Sequence, residues 1–500
     1  MKKPNIVIIN PDEMRADSMS HLGCRAIHTE NLDALAAEGA SFSNAYCQNP
    51  VCTPSRCSFM TGWYPHTAGH RTMGAMLQPH EPMLLKYLKQ SGYHVWMNQR
   101  NDMLPAQRPG YYKDYCDTYF ETPDTDAQWL ASLKPQPWRG APDRGNYYSF
   151  FEGKRAPGRD MDDVWVDGAC SFIRQYGEDR PFCVFLPLQL PHPPYGAGEP
   201  WYSAVDRGAL PQRIAPDGDA GKCAMTRALR GRLGLEGWTA ARFDELRAVY
   251  LAMCLRTDAL VGRVLDALRE KGIYGDTAIF VLSDHGDYAG DYDLVEKQQN
   301  SFEDCLIRVP LLVKLPGGAQ ARTGVQKGLV ELVDFYATVE ELAGFAPGHT
   351  HFGHSLLPYL QGGDDPLRDA VFCEGGFRKG EKQCVYSECA QPPSPAELYY
   401  PRLSLQMDEE RMYNGKAIMC RTEKWKYIKR LYEPDELYDL EADPGELNNI
   451  AADPACAKVL AGLRERLLTH YLDTSDAVPF AVDARLDMEM VARLRAAKKK

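Results

Sequence analysis

An α/β fold around a largely parallel sheet, followed by a smaller antiparallel unit, is what this sequence predicts. Three observations predict it. Over the first two-thirds of the chain, short β-branched runs alternate with helical patterns. After about residue 360 the texture changes to short strand-like runs. The length of 500 residues, with 44% hydrophobic and 25% charged positions, suffices to bury a sizeable core in more than one unit.

Each element has its local reason. Residues 5–9 (Asn-Ile-Val-Ile-Ile) read as a buried strand that stops at Asn10-Pro11-Asp12. Residues 31–38 form a helix ended by Gly39. Residues 81–90 form another, with Leu84, Leu85 and Leu88 at helical spacing and Gly92 beyond the end. Residues 182–186 and 278–282 are further strands, and between them residues 243–271 make a long amphipathic helix stopped by Gly272. Residues 129–158 and 195–221 are loop-rich and read as insertions. Gly362-Gly363-Asp364-Asp365-Pro366 reads as a linker, which closes a first domain at residues 1–362. Residues 370–373, 416–420 and 426–428 are the strands of a small antiparallel sheet, and 454–471 a last helix. Together these make a second, α+β unit over residues 367–475, followed by a tail, 476–500, that frays at its lysine-rich end.

Composition excludes some roles. Lys+Arg 57 against Asp+Glu 68 gives a net charge of −11, so nucleic acid is not an expected partner. No apolar stretch approaches the roughly 18 residues that span a bilayer, and no membrane partner is expected. The run Ile6–Ile9 is too short for a secretion signal, so a cytoplasmic chain is expected. Fifteen cysteines without a C-x-x-C pair suit free thiols in a reducing compartment.

The chemistry gathers where strands end. The first strand leads to Asp12 and Glu13, the strand at 278–282 to Ser283, Asp284 and His285, and the strand at 182–186 to His192. Ligands of open α/β sheets bind beyond the carboxyl ends of strands. Carboxylates and an imidazole converging there would suit Ca²⁺, Mg²⁺ or Mn²⁺ better than zinc. Each residue taken alone serves equally well as a cap or turn residue. The segment Cys52-Thr53-Pro54-Ser55-Arg56 is the second focus. Thr53 can cap a helix and Pro54 suits its first turn, so the helix N-terminus and Arg56 would attract an anion and lower the pKa of Cys52. A buried packing cysteine beside an ordinary helix start is the plain alternative.

These residues carry a resemblance. Cys52-Thr53-Pro54-Ser55-Arg56 with Thr61-Gly62 matches C-x-P-S-R-x-x-x-x-T-G at every fixed position. The match extends to Asp12, Glu13 and Arg15, to Asp284-His285-Gly286, Lys297, Glu303 and Arg308-Val309-Pro310-Leu311, and to Trp425-Lys426-Tyr427 and Glu436-Leu437-Tyr438-Asp439-Leu440. The sequence resembles the type I, formylglycine-dependent sulfatases of the alkaline-phosphatase-like superfamily. The resemblance implies that superfamily's mixed, largely parallel sheet flanked by helices, with an antiparallel C-terminal subdomain. It implies conversion of Cys52 to formylglycine by a generating or maturating enzyme, and attack of the hydrated aldehyde on sulfur. Asp12, Glu13, Asp284, His285 and the side chain at 52 would hold a divalent metal, calcium first, with magnesium or manganese as alternatives. Arg56 would hold the diol, His192 would protonate the leaving group, and Lys297 would bind the sulfate.

Two departures matter. The second carboxylate is Glu13 where the family usually has aspartate, which puts its role as a ligand in question. In the segment after Gly92-Tyr93, where many sulfatases carry a lysine–histidine pair, this chain has Arg100 and Asp102. Both are candidate substrate contacts, Asp102 toward a hydroxyl, amine or cation. The phosphonate monoester and phosphodiester hydrolases of the same superfamily also lack that pair and are the alternative reading. A catalytically dead binder of sulfated ligands is a third. The expected substrate is a small anionic ester, by analogy a sulfated sugar.

Other residues draw plainer readings. His349, His351 and His354 lie in a Gly-rich loop and are not expected to bind metal. Cys47 and Cys57 read as packing residues. Arg71, beside His70, reads as a substrate contact or a salt bridge. Trp63, Trp96 and Tyr195 read as core aromatics or sugar-stacking ones. The last thirty residues are a candidate interface of a homo-oligomer.

Overall fold

The structure, a computed structural model, describes residues 3–105, 109–125, 151–156, 158–216, 221–381, 405–406, 408–478 and 487–498. The central sheet is built from β1 (Asn5–Asp12), β2 (Ala40–Tyr46), β3 (His94–Asn98), β4 (Thr118–Phe120), β6 (Phe182–Pro191), β8 (Thr277–Leu282), β10 (Leu311–Lys314) and β11 (Gly324–Glu331). Their order is β11-β2-β10-β8-β1-β6-β3-β4, with β9 (Arg308–Val309) beside β2. A two-stranded ribbon joins β5 (Phe151–Lys154) to β7 (Tyr195–Ala197).

β1 sits at the centre, Ile6 opposite Cys183 of β6 and Ala278 of β8, and Ile6 to Ile9 are all inaccessible to solvent. Covered on both faces, it reads as a continuous apolar run. β10 runs antiparallel to its neighbours, whereas β8, β1, β6, β3 and β4 pair in parallel. The carboxyl ends of β1, β3, β6 and β8 therefore share one edge of the sheet.

Helices cover the faces: α1 (Glu30–Glu38), α2 (Cys52–Thr61), α3 (Leu84–Gln90), α4 (Met161–Gln175), α5 (Ala240–Glu270) and α6 (Leu332–Ala343). The 31-residue α5 packs against α1, α4, β6 and β7. Its Asp258 takes the backbone N–H groups of Asn31 (3.3 Å) and Leu32 (2.8 Å), satisfying donors at the start of α1 that Thr29 does not cap.

Several boundaries differ from the sequence expectation. α3 begins at Leu84 rather than at 81, because a residue preceding proline is pushed out of the helical region, as Glu81 precedes Pro82. β6 continues through Pro187 to Pro191 although prolines read as stops, and its register with β1 shifts between Asn10 and Asp12. The stretch from residue 195 is not all loop: it opens with β7 and carries a short helix, Trp201–Ala204. Within the two expected insertions, residues 129–150, 157 and 217–220 lie outside the described residues, as do Lys499 and Lys500 of the tail.

The C-terminal sheet is antiparallel throughout, in the order β12 (Val371–Gly375), β13 (Ala417–Arg421), β14 (Trp425–Arg430), β15 (Glu436–Asp439). Leu460, Leu463 and Leu467 of α7 (Ala457–Thr474) pack on Ile418, Tyr427 and Leu437. Each such leucine contributes about 1.5–3 kcal/mol when fully buried. Leu468 and Leu472 face outward, as does all of α8 (Met488–Ala497). No helix among the described residues is long and apolar enough to cross a membrane.

Candidate active site

The ends of β1 and β8 are stitched together. Met14 N–H donates to Ser283 Oγ at 2.8 Å, and that oxygen lies 3.0 Å from Pro11 O. Glu13 N–H donates to Asp284 Oδ1 at 3.2 Å. Glu13 takes a positive φ of 71°, a conformation that a non-glycine residue adopts only when its surroundings hold it. The Tyr250 hydroxyl holds it by donating to Glu13 O at 2.9 Å. Gly286 follows for a steric reason: a Cβ there would stand 2.0 Å from Cys305 O.

α2 starts two residues earlier than the capping argument predicts. Val51 is the N-cap, Cys52 is the first helical residue, and Thr53 lies inside the first turn with its hydroxyl unpartnered. All ten residues of α2 are buried. Ser55 Oγ donates to Asp284 O at 2.6 Å. Arg56 bridges two carboxylates, Nε to Asp284 Oδ2 at 2.8 Å and Nη2 to Asp12 Oδ2 at 3.2 Å.

The result is a cluster of four potential ligands. Cys52 Sγ stands 3.3 Å from His285 Nε2 and 3.7 Å from Asp12 Oδ1, and His285 Nε2 lies 3.5 Å from Asp12 Oδ1 and 3.9 Å from Asp284 Oδ1. One donor atom from each of Asp12, Cys52, Asp284 and His285 falls within 4.8 Å of the others. This set fits a divalent cation. His285 Nδ1–H donates to Gly286 O at 2.9 Å, and burial keeps the ring below its ordinary pKa. Nε2 is thus left as a bare lone pair facing the carboxylates. Although burial works against it, Arg100 and then Arg56 hold the Asp12 carboxyl well below its usual range.

Glu13 points elsewhere. It groups with Asp12 and His192, not with Cys52, Asp284 and His285. Its Oε2 takes Lys297 Nζ at 2.7 Å and lies 3.5 Å from His192 Nε2. Burial raises the Glu13 carboxyl, with Lys297 opposing it. An ammonium already serves as the cation there, which leaves the Cys52 group as the better metal site. Glu13 thus shares a separate group of possible ligands with Asp12 and His192 and faces Lys297 rather than the Cys52 thiol.

The Cys52 thiol behaves opposite to the sequence expectation. Burial, and then the charge of Asp12, push its pKa well up. The helix N-terminus does not prevail, and Arg56 is spent on the two carboxylates. A thiol kept protonated is a poor nucleophile.

The remaining candidates divide. His192 follows β6, with Nδ1–H donating to Pro193 O at 2.6 Å and Nε2 turned toward Glu13. Burial and then Lys297 hold it below its ordinary pKa. Arg100 bonds to Asp12 and stands 3.2 Å from Asp102 Oδ2. The Asp102 side chain is 41% exposed, at a positive φ of 48°, so it sits at the open side of the group. Arg71 does not join the cluster: it bonds to Gly376 O and Glu381, as a salt bridge to the C-terminal part. His349 Nε2–H donates to Thr61 O (2.7 Å) and His351 pairs with Glu340 (2.9 Å).

Sequence reasoning missed Asp162 and Tyr195 as polar anchors. Asp162 accepts the N–H groups of Gln189 (2.7 Å) and Leu190 (2.8 Å), just before His192. The acidic run Asp160-Met161-Asp162-Asp163 at the start of α4 was the available signal.

Known proteins are similar to this chain over most of its length. The family model described as Sulfatase matches residues 4–345. The chain is 28% identical over 521 residues to the multifunctional alkaline phosphatase superfamily protein PehA of Trinickia caryophylli, covering 95% of this chain and 96% of that protein. It is 26% identical over 470 residues to arylsulfatase K of Rattus norvegicus, covering 90% and 75%. In fold it is similar to the phosphonate monoester hydrolase of Agrobacterium radiobacter, with a TM-score of 0.74 at 24% identity over 94% of this chain and 96% of that one. It is likewise similar to a 2-O GAG sulfatase, with a TM-score of 0.70 at 20% identity over 95% and 93%. With the Sulfatase match spanning more than half of its residues, the chain is an enzyme of the sulfatase family.

Proposed function

We propose that this enzyme hydrolyses a sulfate monoester, with Cys52 acting after a formylglycine-generating partner enzyme has converted its Cβ to an aldehyde with loss of the sulfur. The observation that carries this reading is the placement of Cys52: Sγ lies among Asp12, Asp284 and His285, and the thiol itself is held protonated. In its converted, hydrated form, side chain 52 supplies the oxygen nucleophile that displaces the leaving alcohol from sulfur. A divalent cation, calcium first, held by Asp12, Asp284, His285 and side chain 52, would supply Lewis-acid polarisation of the ester oxygens.

The chain's own residues do the rest. Arg56, fixed by Asp12 and Asp284, orients side chain 52 and cannot swing away. Lys297 and Arg100 offer positive charge to the anionic oxygens, where fixed donors act most strongly in a dry site. His192 presents Nε2 for proton transfer to the leaving oxygen. It rests neutral, and the approach of an anionic ester favours its protonation. Asp102, exposed beside Arg100, meets a hydroxyl or amine on the remainder of the substrate. A sulfated carbohydrate suits that arrangement, and the fold likeness to a 2-O GAG sulfatase is in keeping with it.

A second reading, hydrolysis of phosphonate monoesters, is favoured by Arg100 and Asp102 standing in place of a lysine–histidine pair, and by the similarity to PehA. The two separate in one experiment. Matured enzyme is given 4-nitrophenyl sulfate and 4-nitrophenyl phenylphosphonate in parallel, and kcat/KM is compared. Preference for the sulfate is expected. Preference for the phosphonate replaces the first reading with the second, and turnover of neither overturns both.

A further inference from the structure

Next to the Cys52 group lies a buried hydrogen-bond centre that the chemistry above does not use. Tyr195 opens β7 three residues after His192 and is fully buried, its ring 6.3 Å from that of Tyr250. Its hydroxyl donates to the Asp287 carboxylate, at 2.7 and 2.8 Å from the two oxygens, and accepts the Glu296 N–H at 2.7 Å. Asp287 lies two residues beyond His285 and also takes the Ala289 N–H at 2.6 Å. Glu296 immediately precedes Lys297. One phenol therefore ties together the turn carrying His192, the strand end carrying His285 and the loop carrying Lys297.

That loop needs a tie. Between residues 289 and 300, Ala289, Tyr292, Asp293, Glu296 and Asn300 all adopt positive φ, from 43° to 61°. Non-glycine residues stay in that region only where their surroundings over-determine it. At Glu296 (φ 59°) the bond to Tyr195 fixes the N–H next to Lys297, while Glu296 O accepts the Tyr288 N–H at 3.1 Å. Phenylalanine at 195 would keep the ring and its apolar seat and would take away only the acceptor for Glu296 N–H and the donor to Asp287.

We propose that Tyr195 is a positioning residue that sets the height of Lys297 beside Glu13 and keeps it in register with His192. The proposal rests on the sulfatase reading for what Lys297 does, and on hydrogen-bond geometry alone for how it is held. Tyr195 makes no hydrogen bond to Cys52, Asp12, Asp284 or His285 in the structure.

A double-mutant cycle with amide exchange tests it in the full-length, matured enzyme. Tyr195→Phe is expected to lower kcat/KM for the preferred ester by about 10- to 100-fold, the scale of one mis-set transition-state donor. In a Lys297→Ala background the same change is expected to cost less than about 2-fold, because coupled residues are non-additive. Exchange at the Glu296 and Lys297 amides is expected to quicken in Tyr195→Phe while the protected amides of α5 stay unchanged. Equal losses in both backgrounds, or unaltered exchange at Glu296, would overturn the proposal. If the parent enzyme turns over neither ester, the functional reading fails, while the exchange measurement still decides whether Tyr195 holds the Lys297 loop.

Discussion

Two buried charge clusters in this molecule are wired in opposite ways. At the seam between the central sheet and the C-terminal sheet, Lys426 Nζ donates to Phe302 O (2.8 Å), Asp304 Oδ1 (2.7 Å) and Glu446 Oε1 (2.8 Å), so all three of its protons are taken. Although burial opposes it, Lys426 and then Arg421 hold the Asp304 carboxyl well below its usual range. At the Cys52 group, two carboxylates, a thiol and a bare imidazole nitrogen face one another. Arg56 Nη1 there, and Glu13 Oε1 in the neighbouring group with His192, are buried without a hydrogen-bond partner, whereas the unpaired atoms at the seam, Arg421 Nε and Glu446 Oε2, flank a lysine whose own donors are all taken. Buried polar atoms are nearly always paired, so orphans beside a constellation of ligands mark a place for chemistry, and a saturated lysine marks a place for stability.

The comparison can be broken by mutation. The largest effect is expected on the catalytic side. Arg56→Ala should lower kcat by about 10³-fold or more, on the scale of a lost oxyanion donor combined with a mis-set nucleophile. Melting temperature should fall as well, since Asp12 and Asp284 are left buried without the cation that bridges them. A large fall in melting temperature with retained kcat would place Arg56 with the structural cluster. Lys426→Met should lower stability alone. Asp304 keeps Arg421 and Arg308, but Glu446 is left buried without its cation, which costs about 3–5 kcal/mol. Denaturant unfolding should show that loss, while kcat/KM per folded molecule stays level.

Smaller effects sharpen the contrast. His349 holds the far end of α2 through Thr61 O while its Nδ1 accepts from the Tyr87 hydroxyl at 3.2 Å, and burial pushes its pKa down to about 4. The folded protein then binds fewer protons than the unfolded chain between about pH 6.5 and 4. Its contribution is complete above that window and is lost as pH falls through it. Melting temperature followed across this range should decline, and His349→Gln should flatten the decline. Asp102→Asn should have the least effect, a change of a few-fold in KM with kcat nearly constant, since Asp102 is partly exposed and meets the remote part of the substrate. A kcat loss as large as that of Arg56→Ala would move Asp102 into the reacting group.

Much of the site was legible in the sequence because strands buried on both faces read as unbroken apolar runs. β1, β6 and β8 announced themselves in this way, and Asp12, His192 and Asp284 follow them directly. The Cys52–Arg56 segment was legible as a local pattern, and its burial was not. What escaped depends on contacts distant in sequence or on a single backbone angle. The positive φ at Glu13 sends its carboxylate to Lys297, 284 residues away. The thiol of Cys52 rises because it is buried and because Asp12, at the end of β1, lies beside it. β7 pairs with β5 in a stretch whose prolines and glycines read as loop. Arg71 found Glu381 across the seam, which no local pattern indicates.

The central claim is that side chain 52 acts only after conversion, inside a group that holds its thiol inert. The most direct test is the mass of the peptide containing Cys52 in protein made with and without a formylglycine-generating partner, set against ester hydrolysis by the same preparations. The account predicts that the thiol-to-aldehyde mass change appears only with the partner and that activity rises in proportion to the converted fraction. Full activity from protein whose Cys52 is unmodified would contradict it.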